Sequence, residues 1–316
     1  MQVTMICTLR NEADSIDEFL RSIEQQTQLP DELIIVDGGS DDGTIDSIKR
    51  FAETSKLNIR LRVEPGCNIA QGRNIAVRNA IYGVIASTDA GCTLEKEWFE
   101  SITKPFTIDP TVDVVSGWYE PDARTDFERV SAAWEFYRKD RVMKNPDVFL
   151  PSGRSIAFKK SCWEVVGGYP EHLATAEDTL FDLRLKEKGF KFRFAPDAVV
   201  HWRVRPTLGK LYRKVFLYRK GDGQARLFMA KQWGTRMAAY FGGVALLILS
   251  FFFPILLWIV LLGVIVYLLL PSVIVFRRTG IGASFAYMPA ILVTQDVAAI
   301  GGFFVGLFSK KSTNPR

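Results

Sequence analysis

The 316-residue sequence has little cysteine: four residues, Cys7, Cys67, Cys92 and Cys162. They form no CxxC pair and no metal-type spacing, which argues against a disulfide framework or a thiolate-held metal and leaves them as packing residues. The opening stretch MQVTMICTLRNEADS lacks the basic start and long apolar core of a secretory leader. It reads instead as a strand, Val3 to Leu9, entering a polar loop, so residues 1–236 are expected to stay in the cytosol. No internal repeat and no low-complexity segment is present. Charge is missing entirely from residues 237–276, and 279–308 contain only Asp296. That pattern excludes a large, wholly soluble protein and indicates a soluble domain followed by membrane segments.

Charge, where it occurs, is uneven. The net charge is +5, and ten Lys or Arg with a single acid, Asp222, lie between His201 and Met237. Trp202, Tyr212, Phe216, Tyr218, Phe228 and Trp233 interleave them. Nucleic acid is one partner such a stretch could take. The apolar segment directly after it favours anionic lipid headgroups instead.

The first 120 residues alternate short apolar strands with amphipathic helices. Strands are expected at Val3–Thr8, Glu32–Val36, Asn58–Val63 and Gly83–Ser87, with helices at Ser15–Gln25, Thr44–Thr54 and Ile69–Ala80. This is the pattern of a mainly parallel α/β sheet with helices on both faces. Ligands of such sheets sit at the carboxyl ends of the strands. The polar clusters fall there: Thr8–Glu12, Asp37–Asp42, Glu64–Asn68 and Asp89–Cys92. Further on, Val112–Ser116, Ser155–Phe158 and Val199–Trp202 read as strands, and Asp126–Arg138 and Glu177–Lys188 as helices. Pro206–Tyr218 is amphipathic and suits the membrane interface.

The 40 uncharged residues 237–276 would make a helix about 60 Å long, twice a hydrocarbon core. A hairpin of two spans turning near Ser250–Pro254 fits better and returns Arg277 and Arg278 to the cytosolic side. The expected division is a catalytic domain over 1–202, a basic interfacial segment over 203–236, the hairpin over 237–276, a third apolar segment over 279–308 and a basic tail over 309–316. The third segment contains Pro289, Gly301 and Gly302 and is left as spanning, re-entrant or interfacial. A single crossing would put Lys310, Lys311 and Arg316 outside. Asp296 would cost about 2.5–3.5 kcal/mol at the bilayer centre.

Four segments in order carry a resemblance: Thr8-Leu-Arg-Asn-Glu12, Ile34-Ile-Val-Asp-Gly-Gly-Ser-Asp-Asp-Gly-Thr44, Gly72-Arg-Asn-Ile-Ala76 and Ser87-Thr-Asp-Ala-Gly91. Together they resemble family-2 glycosyltransferases of the GT-A fold, over roughly residues 3–202, and the apolar tail is similar to bacterial members that build polysaccharide or glycolipid at the inner (plasma) membrane. The resemblance implies a nucleotide-sugar donor, UDP-linked by preference, met by Thr8, Arg10, Glu12, Asp37, Gly39, Arg73, Asp89, Gly153 and Arg154. Asp37 would accept hydrogen bonds from the base, and Arg73 would hold the diphosphate at a helix start or else form a surface ion pair. Asp89 occupies the family's DxD position, but the third residue is Gly91, so one carboxylate is missing. Asp89 and His201 remain as the ligands of an Mg²⁺ or Mn²⁺ ion completed by substrate phosphates.

Glu177-Asp178 matches the family's xED motif, which makes Asp178 the implied base. Pro151-Ser-Gly-Arg-Ser155 is similar to the loop facing donor and acceptor. The implied reaction is inverting transfer to a hydroxyl of a membrane-associated, lipid-linked glycan, with Arg203, Arg205, Arg213 and Arg219 at the acceptor or lipid headgroups. Transfer to polyprenyl phosphate, and a non-catalytic scaffold keeping the fold, stay open beside it.

Overall fold

The computed structural model describes residues 1–227 and 230–309, and for 230–237 the backbone only. The aromatic positions Phe228 and Trp233 and the basic residues of the tail lie outside that description. The chain divides into two compact units: Met1–Asp122 with Tyr137–Arg203, and Ala123–Phe136 with the described residues of 204–309.

The first unit opens with β1 (Val3–Leu9), α1 (Ile16–Glu24), β2 (Glu32–Asp37), α2 (Thr44–Thr54), β3 (Ile59–Val63), α3 (Ile69–Asn79) and β4 (Val84–Asp89). Then come β5 (Cys92–Leu94), α4 (Trp98–Ile108) and β6 (Val114–Asp122), followed by α5 (Asp126–Glu135), which belongs to the second unit. The first unit ends with α6 (Lys139–Lys144), β7 (Ile156–Lys159), α7 (Lys160–Val166), α8 (Glu177–Glu187) and β8 (Phe192–Arg203).

The eight strands form one mixed sheet in the order β3-β2-β1-β4-β7-β6-β8-β5. β1 pairs in parallel with both β2 and β4, while β7 runs antiparallel between β4 and β6. Side chains alternate across the sheet because the pleat has period two. Met5, Cys7, Leu33, Ile35 and Ala86 face one core with Phe19 and Leu20 of α1 and Trp98 and Ile102 of α4. Ile6, Ile34, Val36 and Ile85 face the other, with Ala76 and Val77 of α3 and Phe181 and Leu185 of α8. Strands β1, β2 and most of β4 are therefore buried on both faces, which is why they read as unbroken apolar runs. Strand order reverses around β1, and a crevice at the carboxyl ends of β1, β2 and β4 follows.

Four elements were not expected from the sequence: β5, α4, α6 and α7. Helix α4 contains Pro105, which weakens the helical pattern. Burial of Trp98, Phe99, Ile102 and Phe106 outweighs that cost. The last strand, expected only over Val199–Trp202, begins at Phe192 because a register shift near Ser116–Trp118 lets β6 pair with both of its halves.

The second unit contains α5, α9 (Leu208–Gln224), α10 (Ala230–Leu249), α11 (Ile255–Thr279) and α12 (Ser284–Phe308). Val130, Leu211, Val275, Met288 and Ile291 form its core. α11 and α12 are each long and apolar enough to cross a membrane, and Ala238–Leu249 is a shorter apolar stretch. The hairpin turn falls at Ser250–Pro254, where the sequence placed it.

Candidate active site

α3 and α8 lie on the same face of the sheet, and this brings Arg73 and Glu177 together although 104 positions separate them. Arg73 lies in the second turn of α3, whose start is capped by Asn68 and Gln71. It is 2% exposed and donates from Nη1 to Glu177 at 2.6 Å and from Nη2 to Asp89 at 2.8 Å. Its guanidinium also faces the Tyr169 ring, 5.5 Å from the centroid. Burial works against its charge, but Asp89 and Glu177 outweigh burial and raise its pKa, so it stays protonated. The expected helix-start phosphate ligand, or surface ion pair, is instead an internal strut joining the end of β4 to the start of α8. Glu177 is itself buried. Burial, and then Asp178, push it up to about 7 while Arg73 pulls the other way.

Asp178 is half-buried at the first turn of α8. Its Oδ2 accepts the Gly153 N–H at 3.1 Å and its Oδ1 the Thr179 N–H at 2.8 Å. The preceding residue pair begins at Ala176, which has φ +65° although it carries a side chain. Such backbone costs of order 1 kcal/mol and persists only where its surroundings demand it. Gly153 is fixed from three sides. Its carbonyl accepts from Ser87 Oγ at 3.1 Å, its N–H holds Asp178, and a Cβ there would lie 2.6 Å from Arg73 Cζ. Only glycine lets the loop approach Arg73 this closely.

A second polar cluster lies at the ends of β1 and β2. Asp37 is buried; its Oδ1 accepts from Gly39 and Ser40 N–H at 2.8 and 2.7 Å, while its Oδ2 is buried with no partner. One oxygen builds the turn, and the other is a buried acceptor that nothing among the described residues satisfies. Gly39 has φ +88°, which this turn requires. Thr8 Oγ1 is likewise buried and unbonded. Glu12 accepts from Ser15 Oγ at 2.7 Å, and its N–H donates to Thr44 Oγ1 at 2.9 Å, so it closes the loop. Arg10 is exposed beside it.

Both residues of the metal set expected from the sequence meet other groups. Asp89 Oδ1 accepts from Arg73, and Oδ2 lies 3.9 Å from Arg154 Nε. His201 Nε2 instead meets Glu95 Oε1 at 3.1 Å. Among the described residues no group of three His, Cys, Asp or Glu could hold a metal. A carboxylate facing two guanidinium groups does not fit a resident, protein-held cation. Arg154 stacks 4.0 Å from the Trp202 ring centroid and 5.2 Å from that of Tyr119, so the loop cation is aimed by aromatic faces.

Several participants were missed from the sequence. Glu95, six residues beyond Asp89, partners His201. Asp182, one turn along α8 from Asp178, is 1% exposed and neither oxygen is bonded. Burial, then Asp178, push its pKa well up. No sequence signal marks it, because an acid four residues after another on a helix ordinarily faces water. Arg203 ends β8, its Nη1 donating to the Asp122 carbonyl at 3.0 Å. Arg205, Arg213 and Arg219 belong to the second unit.

A mixed α/β sheet with Asp37 and Asp89 at the carboxyl ends of its strands is the architecture expected of a GT-A-type glycosyltransferase. Residues 4–166, more than half of the chain, match the family model described as Glycosyl transferase family 2, and the chain belongs to that family. It is 28% identical over 262 residues to Glycosyltransferase AglE of Haloferax volcanii, covering 80% of this chain and 81% of that protein. It is 26% identical to O-antigen chain rhamnosyltransferase RfbN of Salmonella typhimurium, covering 68% and 71%. Among solved structures, mannosyltransferase PcManGT from Pyrobaculum calidifontis, in complex with GDP-Man and Mn²⁺, superposes with a TM-score of 0.64 at 23% identity, covering 95% of this chain and 87% of that one. The protein is thus a glycosyltransferase with the GT-A fold.

Proposed function

We propose that this enzyme transfers a sugar, with inversion, from a nucleotide sugar to a hydroxyl of a lipid-linked glycan at the cytosolic face of the plasma membrane. The observation that carries this reading is the placement of Asp178. Its carboxylate is half-buried and fixed by the Gly153 N–H, beside the internal Glu177–Arg73–Asp89 chain.

Asp178 takes the proton from the acceptor hydroxyl as that oxygen attacks the anomeric carbon. The bond to the nucleoside diphosphate breaks on the opposite face, and the configuration inverts. Glu177 and Arg73 hold the start of α8 in place. Arg154 is the positive group the loop brings to Asp89, and the charge on the leaving diphosphate falls to it. Asp37 Oδ2 receives the base. Uracil is the first to test, with guanine beside it, since the Pyrobaculum structure contains GDP-Man. A divalent cation would have to arrive with the diphosphate and be held by its oxygens, since Asp89 faces two guanidinium groups, and no step above is routed through it.

A base of this kind has work to do on a hydroxyl and none on a phosphate acceptor, which is already ionised. The second unit, with its apolar helices and basic α9, supports a membrane-borne acceptor. The test is release of nucleoside diphosphate by the full chain in vesicles, across a panel of nucleotide sugars, with either a lipid-linked glycan or polyprenyl phosphate as acceptor. Release that depends on the glycan supports the reading. Release with polyprenyl phosphate alone overturns it.

A further inference from the structure

By length and composition α12 qualifies as a membrane span. Its packing argues otherwise. α9 runs beside its second half in parallel, at a constant offset: Gly302 meets the Phe216 carbonyl and Gly306 the Lys220 carbonyl. A Cβ at Gly306 would lie 2.8 Å from the Lys220 carbonyl carbon, and one at Gly223 2.8 Å from the Leu307 nitrogen. This is backbone-to-backbone contact through small residues spaced four apart. It continues to the end, where Gln224 Nε2 donates to Ser309 Oγ at 3.1 Å.

α9 is a helix of 17 residues, about 26 Å long, and contains Lys210, Arg213, Lys214, Arg219 and Lys220. Near the middle of α12, Gln295 donates to Glu135 of α5 at 2.6 Å, and Glu135 pairs with Lys214 at 2.6 Å. Were α12 to cross the bilayer, α9 and this ion pair would be carried through the hydrocarbon with it, where charged side chains are strongly disfavoured. The other face of α12 is different. Val293, Val297, Phe304 and Phe308 form one exposed stripe, opposite the packed Ile291, Ala299, Gly302 and Gly306.

We propose that α12 lies in the plane of the membrane surface beside α9, with this stripe against the acyl chains and the α9 cations at anionic headgroups, and that only the α10–α11 hairpin enters the hydrocarbon. Asp296 ties the platform to the hairpin by accepting hydrogen bonds from Tyr240 of α10 and Tyr267 of α11. Beyond those tyrosines the hairpin exposes Phe251, Phe252, Phe253, Trp258 and Leu262, and it contains no charge. Amphipathic pairs of this kind bind by apolar burial together with attraction to anionic lipid. The assignment also keeps Arg277 and Arg278 with the α9 cations on one side, as the positive-inside rule requires.

The inference rests on the membrane reading above, and one experiment separates the two. Single cysteines at Val293, Val297, Phe304 and Phe308, and at Trp258 and Leu262, are placed in the full chain with Cys67→Ser, the other native cysteines being buried. Spin labels on them are read in phosphatidylglycerol-containing vesicles by collision with oxygen against a water-soluble nickel chelate. The four α12 labels should share one shallow depth while those at 258 and 262 lie deep. Depths running through the bilayer centre over about 22 Å from 293 to 308 would overturn the in-plane assignment. Labels at 258 and 262 in water would remove the membrane reading itself, and this inference with it.

Discussion

Replacing Gly153 by alanine tests the internal strut at its tightest point. The added methyl carbon would lie 2.6 Å from Arg73 Cζ and 2.7 Å from Nη1. Carbon contacts are comfortable from about 3.5 Å, so the guanidinium or the loop must move by about 1 Å. Arg73 cannot swing away, because it is buried and held by two carboxylates. Overpacking costs about 1–3 kcal/mol, and loosening one charged hydrogen bond adds roughly 1.5–3 kcal/mol. A loss of about 2.5–6 kcal/mol follows, or on the order of 10 °C in thermal midpoint. If the loop moves instead, Asp178 loses the Gly153 N–H, and a displacement of this size costs about 100-fold in turnover. Thermal unfolding followed by tryptophan fluorescence, alongside a transfer assay, reads both. Gly83→Ala, where the methyl meets nothing within 4 Å, is the control. A Gly153→Ala enzyme with an unchanged midpoint and unchanged turnover would refute the strut.

Three further outcomes are expected. Glu177 is raised from 4.5 to about 7, so its contribution to stability is fully present below pH 4.5 and is lost as the pH rises through 7. At about 1.4 kcal/mol per unit the change is at most about 3.5 kcal/mol, and Glu177→Gln should flatten denaturation midpoints compared between pH 5 and pH 8. Asp37→Asn keeps one oxygen for the turn but turns the free acceptor into a donor. It should raise the donor KM about tenfold or more with kcat little changed in steady-state kinetics. A Cβ at Gly91 meets nothing within 4 Å, so Gly91→Asp can supply the missing carboxylate and should tighten Mn²⁺ binding measured by calorimetry in the presence of donor.

The sheet was legible because β1, β2 and β4 are buried on both faces and carry unbroken apolar runs between amphipathic helices. Helix α4 was not, since Pro105 interrupts its pattern and only the packing of Trp98 and Phe99 reveals it. The turn at Asp37 and the helix opening at Glu177 could be read from local chemistry. The environment of Arg73 could not, because its partners are distant in sequence and ion pairs are usually exposed. His201 shows the same limit: its nearest carboxylate is Glu95, a residue no motif singles out. Hydropathy finds α12 and amphipathic patterning finds most of α9, but neither shows that the two pack together, and what a helix packs against decides whether it can cross a bilayer.

Single-turnover transfer by the Asp178→Asn enzyme, with donor binding measured in parallel, tests the central claim most directly. Asparagine still accepts the Gly153 N–H but cannot take the acceptor proton. The account predicts donor affinity within about threefold of the unsubstituted enzyme and transfer slowed by about 100-fold or more. Transfer at an unchanged rate would contradict it and would remove Asp178 from the chemistry.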